Sequence, residues 1–574
     1  MNRPPERLQT IGGTPLSPLP RRLSRLAACL AAALSLISLR AGAAVPIESI
    51  RAGDRGHGLA TFHGMEPSRY DVEVLQVLRG DGSTVDALLV RVSGAEIEAA
   101  GGIAAGMSGS PIYLGDELAA VLSYAIPDAD PHYGYATPAV FLEPLLATSP
   151  RSAAWLPPLG LPVSVATRDP LGGLLWSGIG QPAAQPAGNL RPGHAVGVQL
   201  ARGAIHVTTY GTVSMVEGNR ALILGHKFLH EGPCEYPVVR AEMGAIIPSD
   251  KVPFAMGNPV GPPIGAVIED RGVGLVVELG RQPRLAPTVV SVSDAGGVAS
   301  DLSLELVPTP EIFRETAASA TIAAADGVLD RVGPGSADLT VRLWTQGGYL
   351  IDRQDVLSSS QDIGGACAAE VRRVLDAALF GPLFAFEPVR AEIRVAAMPE
   401  LRSARIVECE VIPGRVAAGE SVLLTVALRP AREPLQRIQA TLEVPADLAP
   451  GSYLVRVHGK ATAEVGSYDP WEHPPVAQIP AEYCDWLSRS GRRCAVACDL
   501  VESPLDRLLA GEPLSLGFDE SGEMGTRDVP EGEEPPSPTA MASLLASGGV
   551  LSRALVDTRW AVEGEAVARL VVTP

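Results

Sequence analysis

Aromatic side chains are scarce, 5% of 574 residues, in a chain that is otherwise 46% hydrophobic. Its cores must therefore be aliphatic. With 60 Gly and 51 Pro spread along the sequence, short strands joined by many turns are favoured over long helices, so the expected class is mainly β. Positive charge is also short. Lys and Arg number 46 against 65 Asp and Glu, a formal net charge of −19, and no basic run follows the first 40 residues. Nucleic acid and anionic membrane surfaces both require a basic face, which argues against either as a partner. No internal repeat of solenoid period is present. At this length the chain is too long for one core, and three or four domains are expected.

The N-terminus holds one apolar run, "LAACLAAALSLISL", of about 14 residues, preceded by Arg21, Arg22 and Arg25 and followed by "RAGAAVP". That is short for a membrane span and has the order of a secretory signal, with small residues for cleavage near Ala43 or Ala44. Residues 1–44 are read as a signal peptide, and the mature protein as exported: periplasmic, secreted or held in the cell envelope, with no membrane contact after cleavage. Cys29 ends a lipobox-like "LAAC", but the apolar run continues past it, so lipid attachment is discounted. Removal of the signal leaves Cys234, Cys367, Cys409, Cys484, Cys494 and Cys498, an even number compatible with a local disulfide or with free thiols. "CAVAC" lacks a second Cys or His pair at zinc spacing, and neither a metal nor a cofactor is expected.

Strand-like segments fill 45–146 ("HGLATFHG", "YDVEVLQVL", "ALLVRVSG", "SPIYLGDELAAVLSYA") and again 196–300. Between them, 147–195 is a Pro- and Gly-rich connection. Residues 301–400 mix helix-compatible stretches such as "EIFRETAASATIAAADGVL" with strands, an α+β section. Residues 403–460 alternate like an immunoglobulin-like β-sandwich. The remainder, 461–574, is acidic and partly flexible, with seven acids and one Arg between Asp519 and Pro536.

Chemistry is concentrated in "GGIAAGMSGSPIYLGDELAAVLSYA", Gly101 to Ala125. A nucleophilic serine needs exposure on a sharp turn, backbone N–H groups aimed at the oxyanion and a base within reach. Gly106-Met107-Ser108-Gly109-Ser110-Pro111 can supply the turn and the N–H groups. It can equally be a plain Gly/Ser loop. The strict esterase elbow is excluded, since Ser110 stands where its second Gly belongs. Among nine histidines, His226 follows an apolar strand and a Gly in "ALILGHKFLHEG", a strand exit suited to presenting a base. His57 in "DRGHGLATF" and His132 in "DADPHYGYA" compete with it.

"GGIAAGMSGSPIYLGDELAAVLSYA" and "YGTVSMVEGNRALILGHKFL", with the flanking "RGHGLATFHGMEPSRYDVEVLQVL" and "IGAVIEDRGVGLVVELG", resemble the SpoIVB peptidase family of chymotrypsin-like serine proteases, in particular its non-sporulation relatives. The likeness covers about residues 45–285. It implies a chymotrypsin-like double β-barrel peptidase region that cuts a protein or peptide substrate, with Ser108 as nucleophile, His226 as general base and the N–H groups of Gly106 and Ser108 as oxyanion donors. In the sporulation protease the histidine segment comes first, whereas here Ser108 precedes His226; a triad is set by geometry and not by chain order. Where the resemblance would place an acid, before "GAEIEAAGG", stands Ser93, and Asp86, Asp128, Asp130 and Asp270 are the available substitutes. No PDZ domain is recognisable upstream. The rival reading is a catalytically inactive peptidase-fold scaffold binding envelope proteins; a third is an enzyme that cuts only itself, in 147–195.

Overall fold

The computed structural model describes residues 44–80, 86–126, 128–147, 189–249, 252–459, 479–502 and 550–574, together with the short strand 161–162. The proposed signal peptide up to residue 43, most of the 147–195 connection and the acidic stretch Asp519–Pro536 lie outside the described residues.

The first strand block becomes β1 (Arg55–Ala60), β2 (Ser68–Leu78), β3 (Ala87–Ser93), β4 (Pro111–Leu114), β5 (Glu117–Ala125) and β6 (Tyr133–Pro138). All their pairings are antiparallel, in the order β4-β1-β2-β3-β6-β5, and β4 also pairs with β5, so the sheet closes into a six-stranded barrel. Closure leaves no free edge and turns alternate side chains inward. Val72, Val74, Leu88, Val90, Val92, Ile112 and Leu122 fill the interior, an aliphatic core as the scarcity of aromatics predicts. The two-residue strand β7 (Leu161–Pro162) pairs with β5.

The second block repeats the plan. β8 (Ala195–Gly203), β9 (Val207–Glu217), β10 (Arg220–Ile223), β11 (Gly232–Ile247), β12 (Phe254–Arg271) and β13 (Gly274–Leu279) run in the order β11-β12-β13-β10-β9-β8, and β11 pairs back to β8. Numbered from its own first strand, each barrel closes in the same order, 1-2-3-6-5-4. Here β11 and β12 are unusually long, 16 and 18 residues, and their hairpin overreaches the second barrel towards the first.

From β8 the sheet continues through β15 (Ala299–Leu306), β14 (Ala286–Asp294), β18 (Pro388–Met398), β16 (Gly335–Thr345) and β17 (Leu350–Ser359). The helices Pro310–Leu329 and Ile363–Leu379 pack on it through Ile312, Phe313, Val371 and Leu375, an α+β arrangement. Beyond residue 402, a four-stranded and a five-stranded sheet share one core that includes Leu424, Val455, Val496 and Leu570. Strands Ala495–Glu502, Val550–Asp557 and Glu565–Thr573 complete the five-stranded sheet, so residues from both 403–460 and 461–574 build this module. Cys234, Cys367, Cys409, Cys484, Cys494 and Cys498 are unbridged. Among the described residues no helix is long and apolar enough to cross a membrane.

Candidate active site

Ser108 lies in the loop between the helix Ala95–Ala100 and β4 of the first barrel. Gly106 and Gly109 take φ values of +105° and +91°, the left-handed region that glycine alone enters without penalty. At Gly109 a side chain is also sterically forbidden, since a Cβ would stand 2.3 Å from the Thr212 carbonyl oxygen. The loop is stitched to the second barrel by its own backbone. The Thr212 N–H donates to the Ser108 carbonyl at 2.8 Å, the Thr212 hydroxyl to the Gly106 carbonyl at 3.0 Å and the Ser214 hydroxyl to the Gly109 carbonyl at 2.9 Å.

His226 arrives from the other side. β10 ends at Ile223, and Leu224 and Gly225 both turn left-handed, at φ +72° and +65°. A non-glycine residue there stores strain of about 1–3 kcal/mol, which surrounding structure must hold. Leu224 is fully buried, and the Thr137 hydroxyl donates to the Gly225 carbonyl at 3.3 Å. The turn brings the two sequence motifs together: the Ser108 Oγ donates to the Leu224 carbonyl, two residues before His226.

The His226 ring is tilted against Tyr124, with centroids 5.5 Å apart. Its Nδ1 lies 2.6 Å from the Lys227 carbonyl oxygen. A carbonyl only accepts, so Nδ1 carries the proton and Nε2 the lone pair, the tautomer a general base requires. Burial pushes the ring's pKa down to about 4, only partly countered by that carbonyl, so the imidazole is neutral at pH 7. Because the folded-state value lies below the usual 6.5, this neutral histidine supports the fold above pH 6.5, and its contribution is lost as pH falls towards 4. The span corresponds to about 3 kcal/mol. Urea denaturation at pH 7 and pH 4.5 is therefore expected to show a steeper acid loss for the wild type than for His226→Gln. Equal slopes would refute a buried neutral ring.

Two N–H groups are unused. Among the described residues, the amides of Gly106 and Ser108 make no hydrogen bond, whereas Met107 donates to Ala104 at 3.0 Å and Gly109 to Leu122 at 2.8 Å. These two alternate amides lie in a loop that is buried at every residue from Gly102 to Ser110 except Gly106. One expectation is corrected: the sequence reading put Ser108 on an exposed turn, but its relative exposure is 0%. Packing of the second barrel over the loop covers it.

The remaining candidates have other partners. The His57 ring stacks on Tyr113 at 5.3 Å, and His132 pairs with Asp130 at 2.7 Å. Asp86 accepts from the Arg79 guanidinium and the Gly80 N–H, at 2.6 and 2.7 Å. Asp128 sits left-handed in an exposed turn, and Ser93 ends β3 opposite Asp71. Asp270 alone among the four acids touches the His226 loop. Its buried carboxylate accepts the N–H groups of Phe228, Leu229 and His230 at 2.9, 2.7 and 2.6 Å. Burial raises its pKa, and those donors pull it back.

Thr212, Ser214 and Thr137 went unnoticed in the sequence. A signal for the first two was present, because Thr212 and Ser214 fall two apart on one buried face of β9, where a strand otherwise carries Val. No comparable pattern marks Thr137.

Residues 44–146 match the family model described as SpoIVB peptidase S55, which bears out the resemblance read in the serine segment. The match takes in the first barrel and the Ser108 loop and ends before His226. No curated protein and no solved structure matches the chain.

Proposed function

We propose that the protein is an exported serine endopeptidase of SpoIVB type, built on a chymotrypsin-like pair of β-barrels. Ser108 attacks the scissile carbonyl while His226 Nε2 takes its proton; the acyl-enzyme forms as the amine leaves with that proton, and water then releases the acid by the same route. The amides of Gly106 and Ser108 receive the tetrahedral oxyanion. The observation that carries this reading is the convergence of the Ser108 loop and the Leu224–His226 turn on one seam between two barrels of identical strand order. The Lys227 carbonyl fills the orienting role that an acid fills in a Ser-His-Asp triad, so no carboxylate is required at His226 Nδ1.

The alternative, an inactive envelope scaffold, is favoured by a different observation: the Ser108 hydroxyl is engaged by the Leu224 carbonyl and sealed from solvent. Labelling of the mature protein with a fluorophosphonate, followed by peptide mapping, separates the two. An adduct on Ser108 is expected; folded protein that takes up no probe at any concentration fits the scaffold.

A further inference from the structure

The start of β12 bridges to the serine loop. Ala105, three residues before Ser108, donates its N–H to the Pro253 carbonyl at 2.7 Å and accepts the Ala255 N–H on its own carbonyl at 3.0 Å, a parallel bridge in register with Phe254. The hairpin's other arm makes a second bridge, in which Gly64 and Met243 exchange N–H···O bonds at 2.8 and 2.7 Å and the His63 Nδ1 donates to the Gly244 carbonyl at 2.9 Å. Ala255 Cβ and Met243 Cε lie 3.5 and 3.8 Å from where a side chain on Gly106 would begin, so both pack against Gly106.

Ala105 thus has both backbone groups spent on an extended segment running past the nucleophile. An unfolded polypeptide bound by strand addition uses those same two groups, with alternate side chains supplying selectivity. The attachment is local. It consists of two isolated bridges and not a continuous ladder, and although Ile246 and Val252 rest on the first barrel's core, Ile247, Phe254 and Met256 remain 38%, 45% and 44% exposed. Such a tip leaves apolar surface in water that a firmly integrated strand would bury.

We propose that Pro253–Ala255, at the start of β12, is an autoinhibitory strand: it occupies in cis the place beside Ala105 and against Gly106 that an extended polypeptide takes, and a substrate reaches Ser108 by displacing it. The proposal rests on the peptidase reading for its consequence but not for its geometry. Ala255 donates its N–H to Ala105 and not across the hairpin, so Ala255→Pro removes an inter-barrel bond while sparing the hairpin's own pairing.

Binding of denatured, fluorescein-labelled casein is measured by anisotropy in Ser108→Ala with and without Ala255→Pro, and fluorophosphonate labelling in the same pair with Ser108 intact. About tenfold tighter casein binding and about tenfold faster labelling are expected, the shift that weakening one closed state produces. Unchanged casein affinity in folded Ala255→Pro overturns the proposal. Tighter casein binding with no adduct in either form upholds the blocking strand and refutes the activated serine. Fast, equal labelling in both overturns autoinhibition and leaves the peptidase reading intact. Should Ala255→Pro fail to fold, Ala105→Cys with Phe254→Cys joins the bridge partners covalently. Casein must then bind more weakly oxidised than reduced, and equal binding overturns the proposal.

Discussion

Ser108→Ala is expected to abolish fluorophosphonate labelling and peptide hydrolysis completely, and to lower stability by about 1–2 kcal/mol. The activity loss follows from removal of the only atom proposed to form the acyl bond. The stability loss follows from burial: Ser108 and Leu224 are both fully buried, the Leu224 carbonyl loses its hydroxyl donor, and an unsatisfied buried acceptor costs about 1–3 kcal/mol. His226→Ala in parallel is expected to slow labelling by about 10³-fold, the worth of a general base acting with its nucleophile. His57→Ala and His132→Ala leave the labelling rate close to wild type, because one ring stacks on Tyr113 and the other pairs with Asp130. A His57 variant as damaged as His226→Ala would mean that the base has been misassigned.

Much of this site was legible in the sequence because glycine reports backbone need. Gly106 and Gly109 flag the loop, and Gly225 flags the strand exit that presents His226; all three adopt the left-handed conformation. Strand alternation likewise predicted two β-rich blocks, since each barrel interior is lined by every second residue. Burial of Ser108 was not legible. Exposure depends on what packs over a loop, and the covering residues, Thr212 and Leu224, lie about a hundred positions downstream on another barrel. The hairpin over Ala105 escaped for a related reason: a bridge made by backbone groups places no demand on residue type. Nor could the choice among Asp86, Asp128, Asp130 and Asp270 be made from spacing. Only the fold shows that Asp270 faces main-chain N–H groups of the histidine loop.

Asp270→Ala is expected to be the more destructive substitution for the fold, because its carboxylate gathers three consecutive amides of the segment that follows His226. Hydrogen bonds to an ionised acceptor contribute about 1.5–3 kcal/mol each, and three that share one carboxylate are less than additive, so a loss on the order of 4–6 kcal/mol is expected by urea denaturation. Asp270→Asn keeps one acceptor oxygen and should fall roughly midway between Asp270→Ala and wild type. The kinetic signature distinguishes a positioning residue from a triad acid. If Asp270 oriented the imidazole directly, its removal would shift the pH dependence of Ser108 labelling, because the charge acting on His226 would be gone. With the Lys227 carbonyl at Nδ1 and Asp270 committed to Phe228, Leu229 and His230, the folded fraction of Asp270→Asn should label more slowly with an unchanged pH profile. A profile displaced by about one pH unit would instead return Asp270 to the catalytic machinery.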